Sequence, residues 1–228
     1  MSSKTKTSTR TGSNSNSGKG VSLDDEFKNE FLIDADTGAL PIPRNMFIKQ
    51  EGNVFKDEIE EQHAWEQFFW TKNVVDRLMK ACEYTYVEET CCLTTPSLAH
   101  SWHEQGRDEI LLDIDKRFSY LPKFKYYDMR NPKDVDGSFR LLVLDPPFFL
   151  IPIEQVRKAV DVITKNNYDT KIIIAFLKRT ERRLLEAFKE YNIRLTNFEL
   201  QYASIKQNKW GNFGLYSNID LPGIKRIS

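Results

Sequence analysis

From Thr90 onward, short apolar runs alternate with segments of helical spacing, and this alternation constrains the fold more than any other feature of the 228-residue chain. The runs are "TCCLTT" (90–95), "EILLDID" (109–115), "FKYYDM" (124–129), "FRLLVLD" (139–145) and "KIIIAFL" (171–177). Helical spacing falls in "SLAHSWHEQG" (97–106), in 152–166 through Ile153, Val156, Val160 and Ile163, and in "ERRLLEAFKEY" (181–191). Runs that are apolar on both faces and separated by helices predict a parallel sheet covered on both sides. The last two runs, "TNFELQYAS" (196–204) and "GNFGLYSNI" (211–219), have no helix between them, so the final strand is expected to return antiparallel.

Upstream, "DEIEEQHAWEQFFWTKNVVDRLMKACE" (57–83) has an acidic start, with Trp65, Phe68, Phe69, Val74, Val75, Leu78 and Met79 at roughly helical spacing. It predicts helices packed on the core, interrupted near Trp70 and Thr71. Residues 1–22 hold four basic side chains, no acid and almost nothing apolar, which predicts a disordered basic tail. Residues 23–57, with "GALPIPRNMF", predict an extended segment laid over the domain, leaving 58–228 as the domain itself.

Lys+Arg and Asp+Glu are equal at 33 each, so no basic excess marks a nucleic-acid binder. The apolar runs are far short of a membrane span and none follows the N-terminus, so a cytoplasmic protein with no membrane partner is expected. Cys82, Cys91 and Cys92 lack C-x-x-C spacing and read as buried free thiols. His100 and His103 lie three apart on a helix with no third ligand placed by the sequence, so no metal is expected. "KRTERR" (178–183) and "GIKRIS" (223–228) read as solvated basic faces.

Ligands of parallel sheets bind at the C-terminal strand ends, near the switch in strand order. Here the first strand is followed by Thr95-Pro96-Ser97, the second carries Asp113 and Asp115, the third ends at Asp128 and the fourth at Asp145-Pro146-Pro147-Phe148. A single aspartate at such a place is commonly a turn former or a helix cap. Acids at three successive strand ends can accept ribose hydroxyls and an adenine amine. The chain has no G-x-G-x-x-G, which disfavours a pyrophosphate-bearing dinucleotide but not a phosphate-free nucleoside such as S-adenosylmethionine. Ser97 is expected as N-cap of the helix against which the methionine part would lie.

"DPPF" is the sharpest motif, since average residue frequencies place a D-P-P-aromatic tetrad in roughly one unrelated chain of this size in several hundred. A nitrogen attacking a methyl group must aim its lone pair along the breaking S–C bond, and acceptors for its own protons aim it. The Asp145 carboxylate and the Pro146 carbonyl supply two acceptors, Pro147 fixes the backbone direction, and Phe148 offers a ring face to the substrate.

The tetrad resembles the catalytic motif of amino-group methyltransferases. The wider sequence resembles a family related to bacterial adenine methyltransferases, whose eukaryotic members include lysine methyltransferases of translation elongation factor 1-alpha. The family's "QFWYS" resembles "QFFWT" (67–71), its "APS" resembles Thr95-Pro96-Ser97, and its "YDKRF" resembles "IDKRF" (114–118). Its "FYDYNNP" is similar to "YYDMRNP" (126–132) and its "NEFRCYVNY" to "GNFGLYSNI" (211–219). The resemblance implies a Rossmann-like class I α/β fold with a seven-stranded, mostly parallel sheet. It also implies S-adenosylmethionine contacts from Gln67, Trp70, Pro96, Asp115 and Asp128, with Asp145, Pro146 and Phe148 around the amine. Many members have Tyr where this chain has Phe148, and alanine is common at Thr95. Lysine of a protein, with elongation factor 1-alpha as target, is the acceptor the reading favours; adenine in DNA or RNA is the alternative, and a silent binding protein is disfavoured by the intact tetrad.

Overall fold

The computed structural model describes residues 52–56, 58–83 and 89–227. The tail expected at 1–22 and nearly all of the segment expected at 23–57 lie outside the described residues. Seven strands form one sheet: β1 (Thr90–Leu93), β2 (Ile110–Asp113), β3 (Phe124–Tyr126), β4 (Leu141–Leu144), β5 (Lys171–Leu177), β6 (Arg194–Leu195) and β7 (Phe213–Ser217). Their order is β3-β2-β1-β4-β5-β7-β6. The pairs among β1 to β5 are parallel, and β7 runs antiparallel to both β5 and β6. This is the expected Rossmann-like arrangement with its antiparallel strand.

Cys91 pairs with Ile110 on one side and with Leu142 on the other, and Leu142 in turn with Ile172. Every residue of β1, β2 and β4 is buried, which is why these strands read as unbroken apolar runs. The helices α1 (Lys72–Cys82), α2 (Pro96–Glu104), α3 (Ile153–Thr164) and α4 (Glu181–Ala187) cover the sheet. In α1 the buried residues Val74, Val75, Leu78, Met79, Ala81 and Cys82 form the stripe its spacing announced. All three cysteines are buried and free. Among the described residues no helix is long and apolar enough to cross a membrane.

Three local expectations are corrected. Among the described residues before Trp70 the only helical element is one 3-10 turn, His63–Trp65. Glu66 has φ 53°, which breaks the helix, and the Glu61 carboxylate takes the Phe69 N–H at 2.7 Å. "TNFELQYAS" is not a sheet strand either. The sheet uses the shorter Arg194–Leu195, while the chain around Tyr202 pairs with 69–71: Thr71 N–H donates to Gln201 at 2.9 Å, and Ala203 N–H to Phe69 at 2.9 Å. Finally, Ser97 is not the N-cap of α2. Thr95 holds that position, and its hydroxyl donates to the Val143 carbonyl at 3.3 Å rather than capping the helix.

Candidate active site

The strand order reverses between β1 and β4, and a cavity of about 330 Å³ opens along the strand ends there. Thr94, Thr95, Pro96 and Ser97 line it from the β1 end, Asp113 and Ile114 from the β2 end, and Tyr127 to Arg130 from beyond β3. Asp145, Pro147, Leu150 and Ile151 line it from beyond β4, and Trp65 to Trp70 form the remaining wall. Of the residues singled out in the sequence, Gln67, Trp70, Thr95, Pro96, Ser97, Asp113, Asp128, Asp145 and Pro147 are thus brought together. Asp115, Pro146 and Phe148 are not part of this lining.

Asp115 is instead enclosed by its own neighbours. Gln67 Nε2 donates to Oδ2 at 3.0 Å, and Arg117 donates from Nε to Oδ1 at 3.0 Å and from Nη2 to Oδ2 at 2.6 Å. Burial works to raise its pKa, but these bonds hold the carboxyl below the ordinary value. The same guanidinium donates to Gln67 Oε1 at 2.9 Å, so Asp115 and Arg117 together fix the side chain of Gln67, which does reach the cavity. Phe148 stands edge-on to Phe176, with ring centroids 5.2 Å apart. It borders a second, small apolar cavity shared with Glu66, Tyr202 and Phe213.

Asp145 lines the cavity at the end of β4. Its carbonyl accepts from the Thr94 hydroxyl at 2.9 Å, and its Oδ1 accepts from the Tyr202 hydroxyl at 3.0 Å. Burial drives its pKa well above the carboxylate range, partly offset by Tyr202 and Trp70. The Trp70 indole N–H falls short of hydrogen-bond geometry and is buried without a partner, so it acts on Asp145 electrostatically. Asp113, only 4% exposed, is pushed up to about 7 by burial, although the Asp115 N–H donates to its Oδ1 at 2.8 Å. Asp128 is held low by Arg130, whose Nη2 donates to it at 2.8 Å.

Several residues in the lining or directly behind it carry no sequence signal. Thr94 adopts φ 55°, a left-handed conformation that composition alone does not foretell for a threonine. Tyr202 reaches Asp145 only because its segment pairs with 69–71. Glu66 precedes "QFFWT" but was submerged in an acidic run.

The family model described as probable N6-adenine methyltransferase matches residues 61–221. The chain belongs to this family. No curated protein matched the chain. Among solved structures, the methyltransferase is similar to a TehB-like S-adenosylmethionine-dependent methyltransferase from Corynebacterium glutamicum, with TM-score 0.45 and 15% identity over 68% of this chain and 88% of the other. It is also similar to an S-adenosylmethionine-dependent methyltransferase from Clostridium acetobutylicum (TM-score 0.45, 9% identity, 77% and 95% covered). A third is ribosomal protein L11 methylase from Lactobacillus delbrueckii subsp. bulgaricus (TM-score 0.39, 14% identity, 78% and 90% covered).

The residues present fit S-adenosylmethionine, the cofactor of the methyltransferase. Asp113 and Asp128 are of the kind that can accept from a sugar diol and a base amine, Pro96 and Ser97 open α2 beside them, and among the described lining residues the one basic side chain, Arg130, is already paired with Asp128. Such a lining suits a cationic nucleoside without phosphate. Tyr202→Phe is expected to lower methyl transfer about tenfold, with a stability change of about 1 kcal/mol or less, because it frees the Asp145 carboxyl to swing. Rates unchanged in the variant would show that Asp145 is held by packing alone.

Proposed function

We propose that this methyltransferase acts on a protein lysine, with translation elongation factor 1-alpha as the target that its sequence resemblance implies. The observation that carries this reading is the charge of the cavity wall. Glu66 and Asp145 are both carboxyl groups on it, and among the described residues the one cation on it, Arg130, is paired with Asp128. Burial favours the protonated form of both carboxyls, and a lysine ammonium entering the cavity would draw them toward the charged form and pair with them, whereas a nucleic acid brings phosphates that need free basic partners. Trp65 and Leu150, 50% and 42% exposed, border the same cavity and offer apolar footing for a protein surface.

Bound S-adenosylmethionine supplies an electrophilic methyl group on a sulfonium. The chain's part is to hold the acceptor nitrogen. Asp145 accepts one N–H, Tyr202 fixes the carboxyl that does so, and the two prolines fix the backbone beside it. Gln67, Asp113, Asp128 and the start of α2 are assigned to the cofactor, while Asp115 acts through Gln67.

Adenine is the second reading, favoured by the printed description of the family. The same acceptors would then hold an exocyclic amine extruded from a stack. Labelled methyl transferred into cell extract separates the two: label that survives nuclease but not protease is expected. Label that survives protease and is released by nuclease would overturn the lysine assignment.

A further inference from the structure

Glu66 is built into the site in a way that neither its motif nor the family assignment explains. It sits at φ 53°, and its N–H donates to His63 at 3.0 Å, closing the 3-10 turn. A non-glycine residue there costs roughly 1 kcal/mol, so the turn holds this side chain against a local penalty. Its Oε2 accepts from the Phe149 N–H at 2.9 Å and from the Leu150 N–H at 3.2 Å, in the loop that immediately follows "DPPF". Its other oxygen, Oε1, is buried with no hydrogen-bond partner. Glu66 borders both the large cavity, with Asp145, and the small apolar one, with Phe148 and Tyr202.

We propose that Glu66 Oε1 is the proton acceptor for the substrate ammonium, a role that rests on the lysine reading above. A buried carboxyl oxygen left without a partner calls for a physical reason, and a role in receiving a substrate proton is one. A lysine enters as R–NH3+; one N–H proton passes to Glu66 Oε1, leaving a neutral carboxylic acid and a neutral amine. The nitrogen pair then forms the N–CH3 bond as the S–CH3 bond breaks with its electrons on sulfur. The positive charge passes to the methylated nitrogen, and Glu66 returns its proton to water.

The division of labour follows from the bonds. Oε2 is committed to two backbone N–H groups, so the proton goes to Oε1, and protonation does not release the loop. Burial raises the Glu66 pKa to about 7, opposed by those two N–H groups, which places it where a base is half free at neutral pH. The titratable and charged groups around the two cavities, among the described residues, are Asp145, Tyr202, Asp113, Tyr127 and the Arg130–Asp128 pair, with Arg179 lying 5.7 Å from the Phe149 ring centroid. On its own segment, Glu61 is paired with His63 at 2.8 Å.

The test is the pH profile of kcat/KM with a lysine-bearing protein substrate, for the wild type and for Glu66→Gln, which keeps an acceptor for Phe149 and Leu150. The wild type is expected to rise through pH 7 and level off. Glu66→Gln is expected to lose about 100-fold at pH 7 and far less at pH 9, its profile climbing toward the intrinsic lysine pKa of about 10.4. Glu66→Asp, which retains a carboxylate, should recover a limb in the same range. Cofactor affinity, measured by calorimetry, should stay within about threefold in both variants. An unchanged limb at pH 7 in Glu66→Gln, or a parallel collapse of cofactor affinity, overturns the assignment. A wild type that labels nucleic acid and not protein overturns the lysine reading by itself, before either variant is measured.

Discussion

Asp145→Ala abolishes methyl transfer, with kcat/KM reduced by at least about 1,000-fold, while the sheet remains folded. Positioning an attacking nitrogen and stabilising its developing charge is worth about 10²–10³ per preorganised group, and the proposed mechanism assigns both to this carboxyl. The fold survives because Asp145 follows β4 rather than lying within it, so Leu141 to Leu144 keep their pairs with β1 and β5. Alanine does leave the Tyr202 hydroxyl without its acceptor, a cost of about 1–3 kcal/mol, but it also removes a carboxyl that burial has driven far from its ordinary state. Asp145→Asn sharpens the test, since it preserves an acceptor for Tyr202 while replacing the other carboxyl oxygen by an N–H donor, which can neither accept from the amine nor take a charge. It should fold as the wild type does and still lose at least about 100-fold. Single-turnover transfer of labelled methyl, thermal unfolding and cofactor calorimetry on the same preparations give the three readings. Activity within tenfold of wild type in Asp145→Asn, with normal cofactor binding, would remove this residue from the mechanism.

The sheet was legible because burial on both faces leaves a mark that periodicity detects, as in Leu141–Leu144 and Lys171–Leu177. Strand-end acids were legible for a related reason: Asp113, Asp128 and Asp145 each interrupt an apolar run where the chain leaves the sheet. The wall opposite them was legible only through the family resemblance, which marked Gln67 and Trp70 but not the local fold that carries them. The apolar spacing of 57–70 is helical on paper, yet Phe69 is buried in an irregular segment, and its N–H is satisfied by the side chain of Glu61. Tyr202 lay in an alternating run that looks like a strand, because a segment paired edge to edge with another irregular segment alternates just as a sheet strand does. Phe148 shows the opposite limit. Its place in the tetrad suggested a substrate platform, whereas its ring packs on Phe176 and Phe213 behind the lining. Motif spacing locates a residue along the chain; which side of the wall it faces is decided by partners far away in sequence.

Stability of the cofactor-free enzyme should fall as pH rises from 4 to 7, and Asp113 should be a principal cause. Its ordinary pKa of 3.8 is pushed up to about 7 in the folded protein by burial. A raised pKa means that the folded state binds more protons than the unfolded chain between those two values, so the stability present below pH 3.8 is lost progressively as pH climbs to 7. Three units correspond to about 4 kcal/mol for this nearly inaccessible side chain. Glu66, raised from 4.5 to about 7, and Asp145, also raised, act in the same direction. Asp115 and Asp128 are shifted down, so their contribution disappears only on acidification below about pH 4, outside this window. Asp113→Asn therefore raises the unfolding temperature at pH 8, by about 2–4 °C per kcal/mol recovered, and leaves it almost unchanged at pH 4. The same substitution weakens S-adenosylmethionine binding at pH 8 by about tenfold or more, because a charged acceptor for a hydroxyl is replaced by a neutral one. Wild-type affinity for the cofactor should itself strengthen from pH 6 to 8 as Asp113 ionises, since whatever binds the carboxylate form draws its pKa back down. Thermal unfolding and calorimetry at pH 4, 6 and 8 read both effects, and a wild type whose stability rises over that range, or an Asp113→Asn variant with the wild-type pH dependence, would show that this carboxyl is not the strained group.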